Sequence, residues 1–296
     1  MTDVNSLFRR FEATLRMSPN TVDSVRQRYR RITWRLNQDF WNINSDTEHS
    51  WYAGSYGRGT AISTSDIDIL VELPSDLYKR YWTQSLVGQN GPSRLLQTVK
   101  NSLQQTYPAT RLRGDGQVVV VEFSDGVRFE VVPVFSESYQ TLIYPDTHNG
   151  GRWLQMKPAL ESHAFTELSR MKPGGLKKFC RMLRAFNKKY RSPLSGQAID
   201  AMAYEYWDFS SWSEKLPYTY FDWHVRDFFA YWKNEFSRGG VVLAPGSQRH
   251  IQVSDLATNI ELFNTFHDIA QSAIKYENQG NTEFWRLIFG EKFPES

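Results

Sequence analysis

The sequence predicts an α/β (α+β) fold, on three observations. A long amphipathic helix stands near the start, β-prone runs fill the middle, and helical patterning takes over the second half of the 296 residues. Residues 21–41, TVDSVRQRYRRITWRLNQDFW, place Val22, Val25, Tyr29, Ile32, Leu36 and Phe40 at helical 3/4 spacing, with Thr21 as the expected cap. A shorter helix is expected around Leu7 to Leu15. The stretch AGSYGRGTAISTSDIDILVEL, residues 53–73, opens in a loop of small residues and ends in a strand, IDILVEL, that Pro74 stops. Residues 93–105 read as another helix. The runs 117–123 and 127–135, joined by Ser124-Asp125-Gly126, carry a hairpin signal. Residues 136–175 read as mixed and loop-rich, and from Leu176 onward nearly everything reads as helix except a Gly/Pro-broken loop at 239–252. A boundary near 158 follows: residues 1–157 hold the N-terminal helix and a β-rich core, residues 158–296 a helical lobe.

Composition narrows the class. The net charge is +3, from 35 basic and 32 acidic residues, so an anionic partner needs a local basic patch rather than a basic coat. Cys180 is the single cysteine, which excludes an internal disulfide and a multi-cysteine metal site. His163, His224 and His250 are too scattered in sequence to suggest zinc. No apolar run of 18 residues and no signal-like N-terminus are found, so the expectation is a cytoplasmic protein off the membrane.

The informative residues are acidic. On a strand, side chains alternate between faces, so Asp66, Asp68 and Leu70 share one face and Ile67, Ile69 and Val71 the other. Two carboxylates aligned this way repel unless a cation sits between them, and hard oxygen ligands suit Mg²⁺ or Mn²⁺. In the second hairpin strand Arg128, Glu130 and Val132 share a face, which offers Glu130 as a third ligand. The plainer alternative is also open: a lone D-x-D is common, Asp66 can cap a turn, and Glu130 can pair with Arg128.

Gly54-Ser55, then Asp66-Ile67-Asp68, then Glu130, in that order, resembles the DNA polymerase β-like nucleotidyltransferase superfamily. Within it, GSYGRGTAISTSDIDILVEL is similar to the cGAS/DncV-like nucleotidyltransferases of bacterial anti-phage signalling, and among their clades to clade E. The resemblance implies a polymerase β-like catalytic core with a long N-terminal helix and a helical C-terminal lobe. It implies Asp66, Asp68 and Glu130 as catalytic ligands of two Mg²⁺ ions, with Mn²⁺ as the alternative, and Gly54 and Ser55 as triphosphate contacts. Glutamate stands where relatives commonly have aspartate. Clustered Cys and His of the animal enzyme's zinc insertion are absent, as is a long basic arm, so no DNA activator is expected.

A second stretch, GGLKKFCRMLRAFNKKYRSPLSG (174–196), places Lys177, Arg181, Arg184 and Lys188 at i, i+4, i+7 and i+11 on one side of a helix, with Phe179, Met182, Leu183, Phe186 and Tyr190 opposite. Such a helix is often only a surface helix. The resemblance implies that Arg184, where relatives have lysine, and Ser195 grip phosphate. Gly196 stands where relatives often carry a base-stacking aromatic, which leaves Tyr204, Tyr206 and Trp207 as candidates for that task.

Taken together, the sequence predicts a monomeric enzyme that joins nucleoside triphosphates into a cyclic oligonucleotide messenger, foremost a cyclic dinucleotide, read by a downstream effector. The rival enzyme reading, nucleotide addition to RNA or protein, calls for a wide basic channel that the modest charge does not supply. The rival outside catalysis, a nucleotide sensor of the same fold, has no need of three acidic ligands.

Overall fold

The computed structural model describes residues 3–277 and 281–295. The chain divides into two compact units: Met17–Gly57 with Thr64–Ala159, and Met1–Arg16 with Arg58–Ser63 and Leu160–Ser296. The helix at the very start therefore belongs with the helical unit, whereas the expected division kept it with the β-rich core.

The first of these is a sheet unit. Helix α2 (Pro19–Phe40) precedes strand β1 (Ser50–Tyr52), the short helix α3 (Gly54–Arg58) and strand β2 (Ile67–Glu72). Then come helices α4 (Ser75–Leu86) and α5 (Gly91–Thr106) and strands β3 (Arg111–Asp115), β4 (Val118–Glu122), β5 (Arg128–Ser136), β6 (Leu142–Asp146) and β7 (Arg152–Met156). The sheet runs β1-β2-β5-β4-β3, with β6 joined to β5 and β7 to β6. Among the described residues of this sheet only the β2–β5 pairing is parallel; the other pairs are antiparallel.

One face of this sheet carries the core. Val25, Tyr29, Ile32 and Leu36 of α2 and Leu95, Leu96, Val99 and Leu103 of α5 pack with Ile67, Ile69 and Val71 of β2 and Phe129 and Val131 of β5. Burial of these side chains supplies the main driving force, at about 1.5–3 kcal/mol each. The cap of α2 is Ser18, whose Oγ accepts from the Thr21 N–H at 3.1 Å, with Pro19 in the first turn; the expected cap, Thr21, is already inside the helix. Arg28 of α2 pins the β4–β5 turn by donating to both oxygens of Asp125, at 3.0 and 2.8 Å. These two bonds hold the Asp125 carboxyl below its ordinary pKa.

The helical unit contains α1 (Val4–Leu15), α6 (Pro158–Met171), α7 (Leu176–Tyr190), α8 (Gly196–Phe209), α9 (Phe221–Ser237), α10 (Leu256–Glu277) and α11 (Glu283–Phe289), with a two-stranded pair β8 (Val242–Leu243) and β9 (His250–Ile251). Its core is aromatic: Phe8, Phe179, Phe186, Trp207, Phe229, Trp232 and Trp285 are fully buried. The apolar side of α7 behaves as its spacing requires, with Phe179, Met182, Leu183 and Phe186 at zero exposure. Tyr206 and Trp207 belong to this core as well. They are thereby removed as stacking platforms for a base, and Tyr204 packs its ring on Phe165 at 5.3 Å.

Candidate active site

The acidic residues come together on the sheet face opposite the α2/α5 core. Asp68 and Glu130 are direct partners in the parallel β2–β5 ladder, with Ile67 and Phe129 before them and Ile69 and Val131 after them turned into the core. Parallel pairing puts the two carboxylates on one face at adjacent positions. Asp66 sits just before β2, and its side chain is more exposed than that of Glu130, at 44% against 23%.

Gly54 closes one side of this cluster. Its φ is +54°, a left-handed conformation that glycine adopts without strain. A Cβ built there would overlap Oδ2 of Asp68, so only hydrogen lets the chain pass this carboxylate. The Ala53 N–H donates to the Asp68 carbonyl at 2.8 Å, which ties the start of α3 to β2. The stretch expected as a small-residue loop is thus a short helix starting at Gly54, with Ser55 in its first turn and buried.

Electrostatics reflect the crowding. The Glu130 carboxyl is pushed up to about 7, mainly by burial and next by the charge of Asp68, with Asp66 adding to the repulsion and Arg128 opposing it. Arg128 lies two residues upstream on the same face of β5. Its Nη2 donates to Oε1 of Glu130 at 2.6 Å and its Nη1 to Oδ2 of Asp66 at 3.4 Å. The Arg128–Glu130 pairing that the sequence left open as the plain alternative is therefore present.

Three neighbouring carboxylates, two of which raise the proton affinity of Glu130, are a donor set suited to a hard divalent cation. Among the described residues no three acidic, His or Cys side chains already converge as a metal site. Asp66 and Glu130 are instead both turned onto the Arg128 guanidinium. The chemistry of the set fits Mg²⁺ or Mn²⁺, and the side-chain positions are those of an arginine-bridged state.

Arg184 and Ser195 belong to the helical unit. Arg184 donates from Nε and Nη2 to the two oxygens of Asp200, at 2.7 and 2.8 Å, and from Nη2 to the Gly196 carbonyl at 2.8 Å. A Cβ at Gly196 would collide with Nη1 of Arg184, so glycine at the start of α8 is what admits the guanidinium there. Asp200 is fully buried and also accepts from Arg58 and Thr60; these partners hold its carboxyl below the ordinary range against the cost of burial. Ser195 caps α8, its Oγ accepting from the Ala198 N–H at 3.1 Å. Arg181, another member of the basic stripe, donates to buried Glu12 at 2.6 Å and to the Gly59 carbonyl at 2.6 Å. Two of the four stripe cations are thus engaged in internal ion pairs. Sequence reasoning missed Asp200, Glu12 and Arg58, because a partner 142 or 169 positions away leaves no periodic signal.

The comparisons agree with this architecture. The family model of the Second Messenger Oligonucleotide or Dinucleotide Synthetase (SMODS) domain matches residues 1–168. The chain belongs to this family. It is a cGAS/DncV-like nucleotidyltransferase with a polymerase β-like fold, and its activity is the synthesis of cyclic oligonucleotide second messengers. Among solved structures, Escherichia coli MS115-1 CdnC, determined with ATP, matches at 16% identity and TM-score 0.73, covering 99% of each chain. Bradyrhizobium diazoefficiens CdnG in complex with GTP matches at 11% identity and TM-score 0.69, covering 99% of this chain and 96% of that one. Vibrio cholerae DncV, a cyclic AMP-GMP synthase, matches at 14% identity and TM-score 0.62 over 83% of this chain and 69% of that one. At these identities the likeness concerns the fold. No curated protein matches the sequence. Among the described residues no helix is long and apolar enough to cross a membrane.

Proposed function

We propose that this SMODS-family enzyme makes a cyclic dinucleotide from nucleoside triphosphates, with Asp66, Asp68 and Glu130 as the catalytic carboxylates, as part of a cytoplasmic anti-phage signalling response. The observation that carries the site is the Asp68–Glu130 pairing across β2 and β5, with Asp66 beside it and Gly54 against the Asp68 carboxylate.

In this reading the three carboxylates hold two Mg²⁺ ions, or Mn²⁺. When bound, such ions neutralise phosphate charge and lower the pKa of an attacking hydroxyl. The residues of the chain do the rest. Glu130 gives up its proton to act as a ligand. Gly54 lets the backbone come close to Asp68 and to a triphosphate held there, and Ser55 donates to a phosphate oxygen. Arg184 and Ser195 are the phosphate contacts proposed for the helical unit; both already have structural bonds there, so their part in binding would be added to a packing role. Solved relatives hold ATP or GTP, which supports nucleoside triphosphates as substrates. The product is released to an effector, and the enzyme works as a monomer without DNA.

The test is incubation of the purified chain with four labelled nucleoside triphosphates and Mg²⁺ or Mn²⁺, followed by phosphatase. A small phosphatase-resistant product is expected. A ladder of lengths would replace this reading with polymerisation, and absence of turnover with every pairing of nucleotides and both metals would overturn it.

A further inference from the structure

We propose that Arg128 is the resident counter-ion of the acidic site, bridging Asp66 and Glu130 until a divalent cation displaces it, so that it sets the metal concentration at which the site fills. This deepens the metal reading above and rests on it.

The geometry is that of a place-holder. One guanidinium spans two of the three carboxylates, Nη2 to Glu130 and Nη1 to Asp66. It thereby occupies oxygens of both that a metal would take, and among the described residues no three-ligand cluster stands ready. Mg²⁺ demands near-octahedral oxygens at about 2.0–2.1 Å, a shell that an arginine fork across the same carboxylates does not leave intact. Arg128 is also incompletely satisfied where it is: its Nε is buried without a hydrogen-bond partner. A buried orphan donor costs free energy that another placement of the side chain recovers. The side chain keeps 30% of its surface exposed, which leaves a way out toward solvent. Glu122 stands directly opposite Arg128 on β4, where it pairs with Arg111 and Arg113.

A rival role predicts the opposite sign. If Arg128 merely oriented the acids while their remaining oxygens took the metal, its removal would weaken metal binding. If it competes with the metal, its removal strengthens binding.

The experiment is a titration of the whole chain with Mn²⁺ in the absence of nucleotide, following free Mn²⁺ by electron paramagnetic resonance. Arg128→Met, which removes the charge and keeps much of the volume, is expected to bind Mn²⁺ about tenfold more tightly than the parent, the scale of one charge-assisted bond. Arg128→Lys is expected to stay close to the parent. Equal or weaker binding by Arg128→Met overturns the proposal and leaves the metal reading standing. Silence from the parent and Arg128→Met alike overturns both. Should Arg128→Met not fold, the parent chain decides: the arginine Nε–Hε resonance missing from Arg128→Lys must shift as Mg²⁺ is added, and an unmoved resonance overturns the proposal.

Discussion

Asp68 and Glu130 are register partners on adjacent parallel strands, and each is held near the other by core residues on both sides, Ile67 and Ile69 on β2 and Phe129 and Val131 on β5. The repulsion between them is thus built into the sheet and cannot relax by moving the backbone. We expect Asp66→Asn combined with Asp68→Asn to abolish product while the melting curve stays at or above that of the parent. Retained turnover in the labelled-nucleotide assay would remove these residues from the catalytic set.

The same repulsion makes stability depend on pH. Glu130 titrates near 7 in the folded state, above its unfolded value of about 4.5. Its contribution to stability is fully present below about 4.5 and is lost as pH rises through about 7. Glu130→Gln has no such loss. In EDTA the variant should therefore melt above the parent at pH 8, with the gap closing toward pH 5. The side chain keeps contact with water, so screening reduces the effect to the order of 1 kcal/mol, roughly 2–4 °C in a chain of this size. A gap that is constant across this range would contradict the assignment. Activity should move the other way and be largely lost in the variant, since amide replaces a ligand.

The sequence made some of this legible and concealed the rest for identifiable reasons. Runs of β-prone residues located β2, β4 and β5, and helical patterning located α2, α5 and α7, because each packs into a core. Helix α4 (SDLYKRYWTQSL) escaped notice, since among its residues only Tyr81 is buried and little periodic signal remains. The β6–β7 hairpin lay hidden in a stretch read as loop, where His148, Asn149 and the two glycines turn the chain between short strands. On α7 the basic stripe was visible, but not its partners. Nothing local marks Asp200 as the acceptor for Arg184 or Glu12 as the acceptor for Arg181.

Gly54 offers a test of the close approach. Gly54→Ala places a methyl group onto the Asp68 carboxylate at a backbone φ of +54°. The carboxylate must shift, and a displacement on the ångström scale costs about 100-fold in rate when the group is catalytic. Turnover should fall by that order, with intact secondary structure by circular dichroism. A variant with parental kcat would show that Asp68 has no fixed position to defend.

The buried cluster around Asp200 separates packing from substrate contact. Arg184, Arg58 and Thr60 all donate to this carboxylate, which has about 1% exposure. Removing one partner of a buried ion pair costs about 3–5 kcal/mol, because the remaining charge stays desolvated. Arg58 and Thr60 still serve Asp200 when Arg184 is gone, so the lower end applies: Arg184→Ala should lose about 3 kcal/mol, a drop of roughly 6–12 °C in Tm. Lys189 is a poor control for this stripe, because its Nζ donates to the Arg286 and Leu287 carbonyls near the end of α11. Exposed Lys188 is the better one, and Lys188→Ala should melt like the parent. Kinetics then divide the two roles of Arg184. If it also grips phosphate, the KM for nucleoside triphosphate in Arg184→Ala rises by about 10- to 100-fold at a temperature where the variant is fully folded. An unchanged KM beside a lowered Tm would confine Arg184 to holding Asp200, and the phosphate contact would have to be sought at other residues.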